Sequence, residues 1–119
     1  MLTPNPDWVY KVASRAAFDA GTATGTFPGM PVDHADGYVH FSTAAQLAET
    51  IRLYFAGQAD VVLFAVRTAD LSPPLVWEPS RRGDLFPHLY GTLPMTAVGD
   101  HIVLAIPADG RVTLPEWVR

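Results

Sequence analysis

The sequence contains no cysteine. This absence excludes disulfides, thiolate catalysis and cysteine-ligated zinc. Basic residues are also scarce, since 8 lysines and arginines face 12 acidic residues and the formal net charge is −4. A protein that binds nucleic acid mainly through phosphate contacts needs clustered basic residues. The composition therefore argues against a nucleic-acid partner, and the basic doublet Arg81-Arg82, next to Gly83-Asp84, is interpreted as a solvated loop.

Long hydrophobic runs are absent too, because no apolar stretch approaches the ~20 residues of a membrane helix. The segment from Met1 to Asp7 lacks the basic region and apolar run that mark a signal peptide. Apolar residues make up 49% of the chain and charged residues 17%, a balance typical of a packed globular protein. The length of 119 residues predicts a single domain, residues 1–119. We expect a cytoplasmic protein without a membrane partner, and the oligomeric state stays open.

The first part of the chain predicts a strand, a short helix and a loop. Trp8 to Val12 is rich in aromatic and β-branched residues, which is typical of a strand. Ser14 is placed to cap a helix from Arg15 to Ala20, and Gly21 to close it in the left-handed conformation. The segment from Thr22 to Gly37 holds several glycines and prolines without a sustained period, which predicts a long loop.

A second strand and a second helix follow this loop. Tyr38 to Phe41 predicts the strand, and Thr43 with Gln46 forms a capping box at the start of the helix. Apolar side chains then recur at helical spacing until Gly57 ends the helix. They are Leu47, Ile51, Tyr54 and Phe55.

The second half of the chain predicts short strands. Val61 to Val66 is apolar throughout, which predicts a central strand buried on both faces. Leu75 to Glu78 and Leu85 to Tyr90 predict extended segments. Gly99-Asp100 predicts a hairpin turn before a last apolar strand, His101 to Ile106. Together these elements predict a small α+β domain with two helices in its N-terminal half and a curved, mostly antiparallel β-sheet.

Two pairs of a histidine and a hydroxyl are the first candidates for chemistry. His40 precedes Ser42 by two residues, and His88 precedes Tyr90 by two. Side chains two apart on a strand share one face, so each pair offers an imidazole and a hydroxyl to the same side. Imidazole can donate, accept or ligate near neutral pH. The alternative for each pair is a histidine and a hydroxyl that satisfy each other or the backbone in the core.

Glu78 is the third candidate. It follows Trp77 in an otherwise apolar strand. A carboxylate beside an indole in a partly buried place is expected to have a raised pKa, which suits a general acid or base. Glu78 could equally orient an imidazole by accepting its N–H, and the remaining alternative is a surface glutamate on an edge strand.

Three other kinds of site fit the sequence less well. Ser42, His88 and Glu78 have the residue types of an acyl-transfer triad, but Ser42 lacks the Gly-x-Ser-x-Gly elbow that exposes a nucleophile. The histidines and aspartates show no metal-binding spacing such as His-Glu-x-x-His, so no metal is expected. Neither Gly-x-Gly-x-x-Gly nor a Walker pattern is present, so a phosphate loop is unsupported.

Taken in order, three stretches resemble a bacterial family, the domain of unknown function 952 (DUF952). The resemblance covers roughly residues 8–106. The stretches are Asp36-Gly37-Tyr38-Val39-His40-Phe41-Ser42-Thr43 with Gln46, then Trp77-Glu78, then Phe86-Pro87-His88-Leu89-Tyr90-Gly91.

The family is in turn thought to be distantly similar to ADP-ribosyltransferases. That resemblance implies a split β-sheet around a cleft of the size of NAD, with NAD as the ligand or cofactor. In one branch of those enzymes a His-x-Thr or His-x-Ser motif binds the nicotinamide ribose, and a later glutamate supports transfer. His40-Phe41-Ser42 resembles that motif, with Phe41 where a glycine is usual, and Glu78 would be the later glutamate.

These observations predict a polar cleft. If the protein is an enzyme, the expected reaction is ADP-ribosyl transfer, or a related one, on NAD or a nucleotide-like ligand. The alternatives are a module that binds a small ligand or a peptide without chemistry, and a purely structural set of polar residues. The expected catalytic residues are His40, Glu78, His88 and Tyr90. The expected ligand-binding residues are Ser42, Thr43, Gln46, Trp77, Phe86, Tyr10 and Lys11.

Overall fold

The structure is a computed structural model that describes residues 6–119. This part of the chain forms three α-helices and eight β-strands. None of the helices in this part is long and apolar enough to cross a membrane. The helices are α1 (Arg15–Thr24), α2 (Pro31–Asp36) and α3 (Ala44–Tyr54). The strands are β1 (Trp8–Ser14), β2 (Thr26–Phe27), β3 (Val39–His40), β4 (Val61–Arg67), β5 (Val76–Pro79), β6 (Leu85–Leu89), β7 (Leu93–Pro94) and β8 (Val98–Leu104).

The strands pair antiparallel in three small sheets. Their orders are β1-β4-β8, β2-β7 and β3-β6-β5. The predicted α+β fold with mostly antiparallel pairing is therefore confirmed. β4 lies in the middle of the first sheet and only its last residue, Arg67, is exposed, so the prediction of a central strand buried on both faces is also confirmed.

β4 separates two hydrophobic cores because successive side chains of a strand point to opposite faces. One core also holds Phe18 of α1 and Leu89 of β6. The other holds Leu47 and Ile51 of α3, which confirms the predicted apolar face of that helix. Alternate residues of β4 supply the two cores: Val62, Phe64 and Val66 the first, and Val61, Leu63 and Ala65 the second.

An isolated backbone bridge joins the first sheet to the third. Tyr10 of β1 and Ser42, two residues beyond β3, exchange backbone hydrogen bonds at 2.9 Å in both directions. The next N–H back, on Phe41, donates to the carbonyl of Pro87 in β6 at 3.1 Å. The segment that carries His40 and Ser42 is therefore held between two sheets.

The predicted loop from Thr22 to Gly37 is wrong for most of its length. Helix α1 continues through Gly21 and ends at Gly25, which has the left-handed φ of 91°. Gly21 is needed for packing, since a Cβ there would lie 2.9 Å from the sulfur of Met95. The rest of the segment forms β2 and α2, so residues 6–119 contain three α-helices and not the predicted two. Pro31 at the start of α2 supplies a fixed helical φ.

The predicted hairpin turn at Gly99-Asp100 is also wrong, because both residues lie inside β8. A Cβ on Gly99 would come 2.7 Å from the ring of Trp8. The glycine makes room for an indole that packs against the strand. A glycine that is needed for such a close contact cannot be told in the sequence from a glycine that forms a turn.

Leu47 and Leu53 lie on the same helix, and only Leu47 is buried. We expect Leu47→Ala to lower the free energy of unfolding by about 2–5 kcal/mol, because it leaves a cavity beside β1 and β4. Leu53→Ala is the matched control and should change it by less than about 0.5 kcal/mol. Urea denaturation followed by circular dichroism measures both, and equal losses in the two variants would contradict the packing described for α3.

Candidate functional site

Asp33 of α2 is the centre of a buried polar cluster. Its Oδ1 atom accepts hydrogen bonds from Lys11 Nζ at 3.1 Å, from His40 Nδ1 at 2.7 Å and from the His40 backbone N–H at 3.0 Å. Its Oδ2 atom accepts the Met30 backbone N–H at 2.7 Å. The side chains of Lys11 and Asp33 are 5% and 3% exposed, so this is a buried ion pair.

The charges of this pair are set by opposing effects. Burial by itself would raise the pKa of Asp33, but the hydrogen bond from His40 and the charge of Lys11 outweigh it and lower the pKa to about 2. Burial lowers the pKa of Lys11, and the charge of Asp33 opposes that shift. Lys11 Nζ also donates to the backbone carbonyl of His40 at 2.7 Å, so β1, α2 and β3 are tied at one point.

Both ring nitrogens of His40 are occupied by carboxylates. Nδ1 lies 2.7 Å from Asp33, and Nε2 lies 2.8 Å from Oδ2 of Asp36. Asp33 and Asp36 are three residues apart, so they lie on the same side of α2 and hold the imidazole between them. Asp36 is exposed, so the outer of the two contacts is open to solvent.

A second histidine–carboxylate pair lies on the neighbouring strands. His88 Nδ1 lies 2.8 Å from Oε1 of Glu78, and the hydroxyl of Tyr90 donates to the same oxygen at 2.7 Å. His88 is buried, whereas the side chain of Glu78 is 36% exposed. Tyr38 packs over this pair, with its ring centroid 4.1 Å from that of His88 and 5.0 Å from that of Tyr90.

The expectation of a raised pKa for Glu78 is wrong. The hydrogen bonds from His88 and then Tyr90 lower the pKa of the Glu78 carboxyl, and the small desolvation of a partly exposed group does not offset them. The same contact raises the pKa of Tyr90 to about 12. Glu78 therefore orients an imidazole as an anion, which was the other interpretation of this residue.

His40 and His88 are direct partners in the β3–β6 ladder, so their side chains leave the same face of the third sheet. The two rings meet edge to face with centroids 5.4 Å apart. The two histidines, 48 positions apart in the chain, thus form one site with a carboxylate behind each.

A cavity of about 500 Å³ lies beside the histidine pair. Its walls come from α2, from the C-terminal end of α3 and from the loop between β5 and β6. Of the residues predicted for the cleft, six line it: Tyr10, Lys11, His40, Ser42, Phe86 and His88.

Five predicted residues do not line this cavity: Thr43, Gln46, Trp77, Glu78 and Tyr90. Thr43 and Gln46 form the predicted capping box, and the Gln46 amide also donates to the carbonyl of Leu85 at 2.7 Å. Trp77 packs against the first hydrophobic core. Glu78 and Tyr90 act on the site through His88, as described above.

Three of the residues that line the cavity and were expected to bind a ligand are engaged within the protein. Tyr10 is only 1% exposed. Its hydroxyl donates towards the carbonyls of Trp117 and Arg119, at 3.2 and 3.0 Å. The hydroxyl of Ser42 lies 2.9 Å from that of Thr50 on α3. Lys11 is engaged with Asp33.

Several residues of the site were missed by the sequence analysis: Asp33, Asp36, Tyr38, Thr50 and Arg81. The helix that presents the two aspartates has a start signal, Pro31 followed by Asp33 in the first turn. Arg81 was assigned to a solvated loop, which is wrong, because its side chain is 15% exposed and lines the cavity. Its partners come from α3 and β6, which no local pattern indicates.

The described residues contain no group of three or more histidine, cysteine, aspartate or glutamate side chains arranged to hold a metal ion. The histidine–carboxylate pairs have the residue types that acid–base chemistry uses. His88 has the geometry of an imidazole that a carboxylate holds in one tautomer. His40 lies beside it with both nitrogens engaged, which suits positioning more than proton transfer.

The low pKa of Asp33 has a consequence for stability against acid. A carboxyl whose folded pKa, about 2, lies below its usual 3.8 contributes stability that is present above pH ~4 and lost as the pH falls towards 2. The contribution is about 2 kcal/mol. We expect the free energy of unfolding in urea to fall less steeply between pH 4 and pH 2 in Asp33→Asn than in the unchanged protein.

The control for this prediction is Asp19→Asn, because Asp19 is 66% exposed and makes only a 3.8 Å contact with Arg15. This variant should keep the full dependence on pH. Asp33→Asn should also be less stable at pH 6, by about 3–5 kcal/mol, since it leaves the Lys11 charge buried without its partner. An unaltered slope below pH 4 in Asp33→Asn would contradict the assignment.

Comparison with known proteins places the chain in a family. The model of the family described as "Protein of unknown function (DUF952)" matches residues 12–101. The crystal structure of protein CC0527 from Caulobacter crescentus is similar at 45% identity, over 87% of this chain and 91% of that one, with a TM-score of 0.81. The solution NMR structure of CC0527 has 44% identity, coverages of 89% and 91%, and a TM-score of 0.76. None of the curated proteins matches. The chain belongs to the DUF952 family.

Proposed function

We propose that the cavity binds a small nucleotide-like ligand and that His88 transfers a proton there, in ADP-ribosyl transfer or a related reaction. The observation that carries the proposal is the Glu78–His88 pair at the wall of a 500 Å³ cavity. Ligand cavities generally measure about 300–1,000 Å³ and combine apolar walls with a few convergent polar groups. This cavity has apolar walls, such as Phe41 and Phe86, and two histidines.

The case for His88 as the proton-transfer residue rests on its tautomer. When Nδ1–H donates to Glu78, the neutral ring keeps Nε2 as an acceptor. Nε2 makes no hydrogen bond to another described residue, and His88 lines the cavity. A base held in one orientation by an anionic carboxylate is the arrangement that general-base catalysis uses.

Glu78 then acts as a positioning residue. It accepts hydrogen bonds from both His88 and Tyr90 and does not line the cavity. A glutamate that stabilised an oxocarbenium charge directly would have to reach the ligand, and this one is occupied. The proposal therefore assigns proton transfer to His88, with Glu78 and Tyr90 behind it, and leaves ligand positioning to His40 and Ser42.

The ligands to test first are NAD and ADP-ribose. They follow from the similarity of His40-Phe41-Ser42 to the His-x-Ser motif of ADP-ribosyltransferases, and His40 and Ser42 both line the cavity.

The second candidate function is binding without chemistry, of a small ligand or a peptide. The contacts of His40 favour it, because carboxylates occupy both ring nitrogens of this residue. The hydroxyls of Tyr10 and Ser42 are also hydrogen-bonded within the protein. In this case the same cavity holds a ligand, and Glu78 only maintains the shape of the wall.

A thermal-shift screen against NAD, ADP-ribose, nicotinamide and related nucleotides tests whether the cavity binds a nucleotide. A ligand at about a hundred times its dissociation constant adds about 2.7 kcal/mol to stability, which raises Tm by several degrees in a domain of this size. We expect such a shift with NAD or ADP-ribose, and its loss in His40→Ala. If none of the nucleotides raises Tm, the proposed ligand class is wrong.

Release of nicotinamide from NAD distinguishes the enzyme from the binding module. We expect His88→Gln and Glu78→Gln to lower kcat by about 100-fold or more, with the thermal shift retained, because proton transfer and imidazole orientation are lost while the cavity stays intact. Glu116→Gln, an exposed glutamate outside the site, is the matched control. Binding with no turnover by the unchanged protein would favour the binding module.

A further inference from the structure

Arg81 lines the cavity, and its environment is not explained by the histidine site. It begins the short 3-10 turn Arg81–Gly83 between β5 and β6. Its guanidinium lies over the ring of Phe86 at 4.7 Å and near that of Tyr54 at 5.9 Å. Such stacking is typical of arginine, because the planar guanidinium is weakly hydrated. The side chain is thus fixed at the cavity and is not free to extend into solvent.

The hydrogen bonds of Arg81 are incomplete. Nη2 donates to the hydroxyl of Thr50 at 2.7 Å. Nη1 is buried and has no hydrogen-bond partner among the described residues. The nearest acidic oxygen is Oε2 of Glu49, at 3.5 Å. A buried donor without an acceptor costs free energy, and a ligand oxygen that reached it would recover that cost.

The charge around Arg81 is also unbalanced. Glu49 is shared by three guanidiniums, those of Arg52 at 3.2 Å, Arg82 at 2.9 Å and Arg81 at 3.5 Å. Among the described residues, these three arginines form ion pairs with Glu49 alone. One negative charge therefore compensates three positive charges, which leaves a local excess of two. The chain as a whole has a net charge of −4, so this excess is local.

We propose that Arg81 is the anion-binding residue of the cavity and that it holds a phosphate group of the ligand. This inference rests on the proposed ligand cavity and adds a charged group that fixes the ligand there. A guanidinium fork matches phosphate oxygens, and its positive charge suits an anionic phosphate group. The hydroxyls of Ser42 and Thr50, which line the same cavity, lie beside it.

An entering phosphate oxygen replaces the contact between Arg81 and Glu49. That contact, at 3.5 Å, is too long for a charge-assisted hydrogen bond, which is normally about 2.7–2.9 Å. The stronger contact of Glu49, to Arg82 at 2.9 Å, stays in place. The Thr50 hydroxyl keeps the guanidinium oriented throughout, so the site is preformed on the protein side.

The test uses inorganic pyrophosphate and phosphate as probes, measured by isothermal titration calorimetry at low ionic strength. We expect pyrophosphate to bind the unchanged protein and to bind Arg81→Gln at least about tenfold more weakly, since charge-assisted hydrogen bonds are lost. Arg81→Lys keeps the charge without the fork and should fall between the two. Arg82→Gln removes the same charge at a residue 76% exposed that does not line the cavity, and should change the affinity by less than about threefold.

His88→Gln separates this inference from the proposed function. It should retain pyrophosphate binding, whereas it should lose turnover of NAD. Binding that is equally strong in Arg81→Gln, or equally weakened in Arg82→Gln, would overturn the role of Arg81, as would the lack of any binding by the unchanged protein. Binding that depends on Arg81 would support it even if no turnover were found.

Discussion

The structure depends on one buried carboxylate, Asp33. It joins Lys11 of β1, the backbone of Met30 and both the backbone and ring of His40. Removing such a group leaves a buried ammonium without its counter-charge and backbone N–H groups without an acceptor, which is more costly than losing the contact itself. A buried ion pair adds little net stability compared with an apolar pair, but it specifies geometry. Here it fixes α2 against β1 and sets the direction of the His40 ring.

The site lies where two sheets and two helices meet. The exchange of hydrogen bonds between Tyr10 and Ser42 brings the chain after β3 next to β1, and the β3–β6 ladder places His40 opposite His88. The cavity is the space that remains between α2, the end of α3 and the loop before β6. A group on each of these elements can therefore reach a single ligand, which is a usual place for a binding site in a small domain.

Both histidines contact carboxylates, but they differ in how many of their ring nitrogens are occupied. Carboxylates hold both nitrogens of His40, so the orientation of its ring is fixed. One carboxylate holds His88 and leaves its other nitrogen available. Arg81, at another part of the wall, carries positive charge that the protein does not fully compensate. In the proposed function, Arg81 binds the ligand and His88 transfers the proton.

The sequence by itself determined the elements whose signals are local. The capping box of α3, its apolar face and the buried strand β4 follow from spacing and side-chain type, and the family follows from motifs around His40 and His88. The tertiary structure alone decided which side chains meet. Glycines that signalled a helix end and a turn instead make room for Met95 and Trp8. The low pKa of Glu78 depends on donors 10 and 12 residues away, and the burial of Arg81 depends on rings of α3 and β6. Such effects arise from neighbours distant in the chain, so no local pattern contains them.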